Sequence, residues 1–160
     1  MNIQSIINQI NLDKIDPFDF VILKNRAEII ELFEYFNKSV KMEWLNLPGR
    51  ALGAKKLNKE YLASLKQNDN ISRKFLIGKH ALQNSAFVKE LLANRQRIKI
   101  LKNELRGFRM SIKDRKEVVI ICADPKSHKR IGIYSANKNF SISLGIIYDL
   151  LWENSEDFGK

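Results

Sequence analysis

A chain of 160 residues with 44% hydrophobic residues is long enough to bury one core without a disulfide or metal, and its 29% charged content argues against long-range disorder. Its 28 Lys/Arg against 18 Asp/Glu leave a net charge of +10, which attracts polyanions. One cysteine and two histidines, His80 and His128 in separate segments, rule out a disulfide framework and a spaced metal set, so no cofactor is expected.

In chain order, MNIQSIINQI places Ile3, Ile6, Ile7 and Ile10 at helical spacing and lacks the cationic and long apolar regions of a signal peptide. No window holds 18 uninterrupted apolar residues, which argues against a transmembrane helix. The expected location is the cytoplasm, or a host cytosol if the source is a mobile element or virus. After Pro17, DFVILK predicts a brief strand. Ile29, Leu32, Phe33 and Phe36 share one face of an amphipathic helix over about 27–36, with Glu28, Glu31 and Glu34 elsewhere on it.

The turn chemistry of NLPGRALG, with Pro48, Gly49 and Gly53, separates a mildly acidic start from a basic remainder. Residues 1–40 hold four Lys/Arg against six Asp/Glu, while residues 41–135 hold 22 against eight. The chain is expected to be a single domain over 1–160, with an acidic N-terminal subdomain over 1–47 and a basic remainder over 54–160. LNKEYLASLKQ predicts a second helix with Tyr61, Leu62 and Leu65 inward, and ISRKFLIGKHAL a third that Ser72 caps. Together they are similar to a helix-turn-helix, but KQNDN is longer than the turn such motifs use, and no family follows from it.

The longest predicted helix spans about 86–109. Leu91, Ile98 and Leu105 recur at one seam position, and Phe87, Asn94, Leu101 and Phe108 at the other. Beside that seam Arg95, Lys99, Lys102, Arg106 and Arg109 follow at spacings of four, three, four and three. Such a stripe repels itself by a few tenths of a kcal/mol per pair unless something anionic lies alongside. A phosphate backbone would offset the repulsion and release counterions. Pairing with Glu28, Glu31 and Glu34 would do so internally. Gly107 is the weak point of this helix.

Beyond Lys116, EVVIICA and IGIYS predict a hairpin whose loop carries Lys126, His128, Lys129 and Arg130. Helix plus cationic strand pair is similar in layout to winged helices, in which helix and wing touch one duplex. Cys122 lies within the apolar strand pattern, which predicts a buried, inert thiol. Gly132-Ile133-Tyr134 is similar to the first strand of nucleases named for Gly-Ile-Tyr. Only 26 residues follow, with no second Tyr-Ile-Gly element and no arginine, and the assignment is rejected. FSISLGIIYDLLWEN predicts a last helix, apolar nearly all round and buried on more than one side.

The fold class expected is α+β: a predominantly helical single domain with a C-terminal β-hairpin followed by a buried helix. The expected function is non-enzymatic binding of nucleic acid, duplex DNA or structured RNA, with no membrane partner. Arg95, Lys99, Lys102, Arg106 and Arg109 would form a phosphate rail, Lys126, Lys129 and Arg130 a second contact, and Arg115 and Lys116 a bridge between them. No catalytic or metal-ligating residue is expected. The alternative is a protein-interaction subunit, either a self-associating scaffold or an inhibitor docking on an acidic partner. Its contact would be the seam residues Leu91, Ile98, Leu101 and Leu105.

Overall fold

The computed structural model describes residues 20–47, 70–79, 85–94, 96–103, 105, 107–124, 126–127 and 129–158. The helices expected over 3–10 and 58–67, the turn at 48–53, and His80, Arg95, Arg106 and His128 lie outside the described residues.

The predominantly helical expectation is wrong. The described residues form one mixed sheet of eight strands, flanked by three helices. The strands are β1 (Val21–Leu23), β2 (Glu43–Leu47), β3 (Ser72–Ile77), β4 (Arg97–Ile100), β5 (Phe108–Lys113), β6 (Glu117–Ala123), β7 (Arg130–Ser135) and β8 (Glu156–Asp157). Their spatial order is β1-β7-β6-β5-β2-β3-β4-β8, with β2-β3 and β3-β4 parallel and the other pairs antiparallel. The helices are α1 (Arg26–Ser39), α2 (Ser85–Ala93) and α3 (Lys138–Glu153).

Two readings fail for one reason. The segment read as a third helix is β3, and the 86–109 rod is α2, then β4, then the start of β5. β3 lies inside the sheet, so Phe75, Leu76 and Ile77 are all buried, and a short continuous apolar run does not distinguish strand from helix. In β4, Arg97, Ile98, Lys99 and Ile100 alternate at the strand period of two, with Ile98 buried. Gly107 sits at φ +70°, which no helix interior accepts, and its carbonyl accepts from the Ala123 N–H at 2.8 Å.

The brief strand at β1, the helix α1 and the β6–β7 hairpin are present, the hairpin inside the larger sheet. Asn25 caps α1 by accepting from the Glu28 N–H, while the Glu28 carboxylate accepts from the Lys24 N–H at 2.8 Å. One sheet face packs on α1: Ile29, Leu32, Phe36 and Val40 meet Leu23, Trp44, Val119, Ile121 and Tyr134. The other packs on α3: Tyr148 and Trp152 meet Leu45, Leu47, Leu76, Met110, Ile112 and Val118. Phe140, early in α3, touches Phe20 beside β1, whereas Trp152, near its end, lies against Arg97 on β4. The helix therefore runs across the strands. It buries a single line, Ser141, Gly145, Tyr148 and Trp152, and leaves Ile146, Ile147 and Leu150 about half exposed, so burial on more than one side is also wrong.

Candidate nucleic-acid interface

The pairing registers divide the cations between two ends of the sheet. At one end β2, β3 and β4 finish, β5 begins and the β6–β7 hairpin turns; this is the hairpin end. At the other, residues 114–116 join β5 to β6 in a tight turn, and β2, β3 and β4 begin; this is the turn end.

The hairpin end gathers Lys126 and Lys129 in its loop, Arg130 at the start of β7 and Lys102 just past β4, all exposed. Asp124 orders the loop: its carboxylate accepts from the Lys126 N–H at 2.9 Å and the Ser127 hydroxyl at 2.6 Å, and its N–H donates to the Lys129 carbonyl. Arg109 on β5 pairs with Ile121, and Arg130 with Ala123, so both guanidinium groups leave the same sheet face. Burial lowers the Arg109 pKa, and the neighbouring positive charge of Arg130 lowers it further. Lys24 and Arg26 beyond β1, and Lys79 beyond β3, stand at this end too. Those three escaped the sequence reading because they are distant in the chain and only the strand register unites them.

The rail itself does not exist as drawn. Lys99 points to the α3 face, where its Nζ bonds the Trp152 carbonyl at 3.1 Å and lies 3.7 Å from Asp157. Arg115 and Lys116 stand at the turn end, so they do not bridge rail and loop. The Arg115 guanidinium is held between Glu43 and Asp149, 2.7 Å from the latter. Burial lowers its pKa, but the two carboxylates outweigh that and raise it. A Cβ on Gly145 would come within 2.8 Å of Arg115 Nη1, so this glycine makes room for the clamp. Among the described residues, Glu28, Glu31 and Glu34 form no ion pair with a cation of the expected stripe.

The alternative seam is not a surface either: Leu91, Ile98 and Leu101 are core residues, and Leu105 alone is exposed, in the loop after β4. Cys122, at the end of β6 near the hairpin loop, is exposed instead of buried. Among the described residues no group of three or more His, Cys, Asp or Glu could hold a metal ion, and no helix is long and apolar enough to cross a membrane.

No family model and no curated protein sequence matches the chain. The fold, however, is a known one. It is similar to TrmBL2, an archaeal chromatin protein described as having a novel mode of DNA binding (TM-score 0.64, 11% identity, 96% of this chain and 60% of that one). The phospholipase D family member Nuc from Salmonella typhimurium matches with a TM-score of 0.68 and 11% identity over 89% of this chain and 99% of its own. NucT from Helicobacter pylori gives 0.62 and 10%, over 88% and 99%. The chain thus spans less than two thirds of TrmBL2 but nearly the whole of the other two. These likenesses correct the non-enzymatic expectation: the fold is shared with Nuc, a phospholipase D family member, and gives no ground for setting catalysis aside.

Proposed function

We propose that the hairpin end contacts the phosphate backbone of nucleic acid. The observation that carries this reading is the grouping of Lys126, Lys129 and Arg130, with Arg109 on β5 behind them, at one end of the sheet, where Lys102 also stands, four strands along from β6. Lys126, Lys129 and Arg130 form no ion pair among the described residues. A phosphate chain is the partner that offsets such a group, since each neutralised phosphate releases condensed counterions. The shared fold with TrmBL2, a chromatin protein with a DNA-binding mode of its own, supports the reading.

Gel retardation of duplex DNA and of structured RNA, run in parallel over a salt series, tests it. Binding should weaken with a log–log slope of about −0.9 per phosphate contacted on duplex DNA. Lys126→Glu, Lys129→Glu and Arg130→Glu together should flatten that slope by about three and remove retardation near physiological salt. Retardation unchanged by the triple reversal would refute the proposed surface. The recovered probes are then resolved on a denaturing gel, because the resemblance to Nuc makes turnover of the probe a second reading, which shortened products would reveal.

A further inference from the structure

A second cationic cluster lies on the α3 face, at β3 and β4. Lys74 and Arg97 are direct partners across these parallel strands, and Lys99 follows two residues later on the same face. All three reach one indole: Lys74 Nζ is 5.6 Å, Arg97 Cζ 5.5 Å and Lys99 Nζ 5.5 Å from the Trp152 ring centroid. An aromatic face attracts a cation, but Tyr148 stacks on this ring at 6.3 Å and 17°. Three cations therefore share what Tyr148 leaves. Asp157 reaches Lys99, whereas Lys74 and Arg97 form no ion pair among the described residues, and like charges directly opposite in a sheet repel. Glu153, beside Trp152 in sequence, is exposed and forms no ion pair among the described residues.

We infer that Lys74, Arg97 and Lys99 form a site for a phosphoryl group, with Trp152 as its floor. Asp157 is the one carboxylate within ion-pair distance of the three cations among the described residues, so positive charge is left in excess for a phosphoryl oxyanion. Two lysine ammonium groups and one arginine guanidinium supply the donors here, from β3 and β4. A tetrahedral oxyanion has oxygens to accept from all of them, whereas a carboxylate offers two in one plane. The site does not depend on the hairpin proposal, because it stands on β3 and β4 and the hairpin loop joins β6 to β7.

Trp152 is a built-in reporter. The other tryptophan, Trp44, is buried against the opposite sheet face. Inorganic phosphate titrated into the whole chain should change tryptophan emission saturably, and chloride at equal ionic strength should not. At tenfold the dissociation constant, phosphate should raise Tm by roughly 4 °C over chloride. Lys74→Gln and Arg97→Gln should each weaken binding at least tenfold and should leave Tm in chloride unchanged or higher, because each removes repulsion. The Lys126→Glu, Lys129→Glu, Arg130→Glu chain should respond as the unaltered one does, which keeps this test separate from that of the hairpin. Displacement of phosphate by a short oligonucleotide would assign the site to nucleic-acid phosphate; its failure to displace would assign the free ion. The inference fails if phosphate and chloride give the same emission and Tm. It fails equally if the response survives Lys74→Gln with Arg97→Gln, or if either variant lowers Tm in chloride as much as in phosphate, which would make the three cations a packing device only.

Discussion

Lys113 and Arg115, at the turn that joins β5 to β6, and the cations of the loop that joins β6 to β7 are treated in opposite ways. At the turn end Lys113, nearly buried, forms an ion pair with Glu117, donates to Ser39 Oγ at 2.8 Å and lies 4.2 Å from the Tyr35 ring centre. Glu117 in turn accepts from Tyr134 at 2.7 Å, and Arg115 is clamped by Glu43 and Asp149. Asp114 accepts from the backbone N–H groups of Lys41, Met42 and Glu43, which fixes the turn where it and Arg115 take positive φ of 52° and 51°. At the hairpin end, Lys126, Lys129 and Arg130 are solvated and carry no such pairs among the described residues. Charge that stabilises a fold is neutralised where it stands. Charge left open at one end is available to something else.

The largest test of that contrast is Glu117→Ala, which leaves the Lys113 ammonium buried without its carboxylate. Breaking a buried pair from one side costs about 3–5 kcal/mol, read as a lower urea midpoint at constant m-value. A loss under about 1 kcal/mol would mean that the turn end is no better neutralised than the hairpin end. Next comes Gly107→Ala. The hairpin end is ordered by backbone geometry, and an added Cβ would meet the Ala123 carbonyl oxygen at 2.7 Å with φ already at +70°. Strain of that kind costs about 1–3 kcal/mol by the same measurement.

A smaller effect is a dependence on alkali. Burial, then the charge of Glu117 and the hydrogen bond to it, raise the Tyr134 pKa far above the usual phenol value; burial does the same for Tyr148. A folded pKa above the unfolded one means that the folded state holds the proton longer. The stabilisation is complete below about pH 10 and is lost as the pH climbs beyond it, at about 1.4 kcal/mol per unit for each tyrosine. Tyr134→Phe should roughly halve that slope in unfolding measured above about pH 10, and a slope that does not change would detach Tyr134 from the network.

How much of this was legible in the sequence follows from which signals are local. α1 announced itself through Ile29, Leu32, Phe33 and Phe36, and β6 and β7 through β-branched runs on either side of a polar loop. The 86–109 rod failed because Leu91, Ile98 and Leu105 recur at seven by coincidence across a helix and a strand. The period-two pattern of Arg97 to Ile100 was present but only four residues long. β2, with Trp44 to Leu47 all buried, has no alternation to read, since both of its faces are covered. The hairpin cations were legible as a loop. That Arg109 joins them, while Lys99 and Arg115 do not, is settled by strand register, and register is a property of the whole sheet.

The smallest expected effect is the one that separates the two ends most cleanly. Lys126, Lys129 and Arg130 are exposed, and the loop that holds them is organised by Asp124 and Ser127 through groups that the substitutions leave in place. Reversing all three charges should therefore change the unfolding free energy by no more than about 0.5 kcal/mol. It should come out slightly positive at low salt, because the chain carries a net +10 and each reversal reduces self-repulsion. A nucleic-acid signal lost from a chain of unchanged stability is a loss of contact. Had these cations been part of the scaffold, as Lys113 and Arg115 are, the same three changes would lower the urea midpoint along with the binding, and the difference between the two ends would vanish.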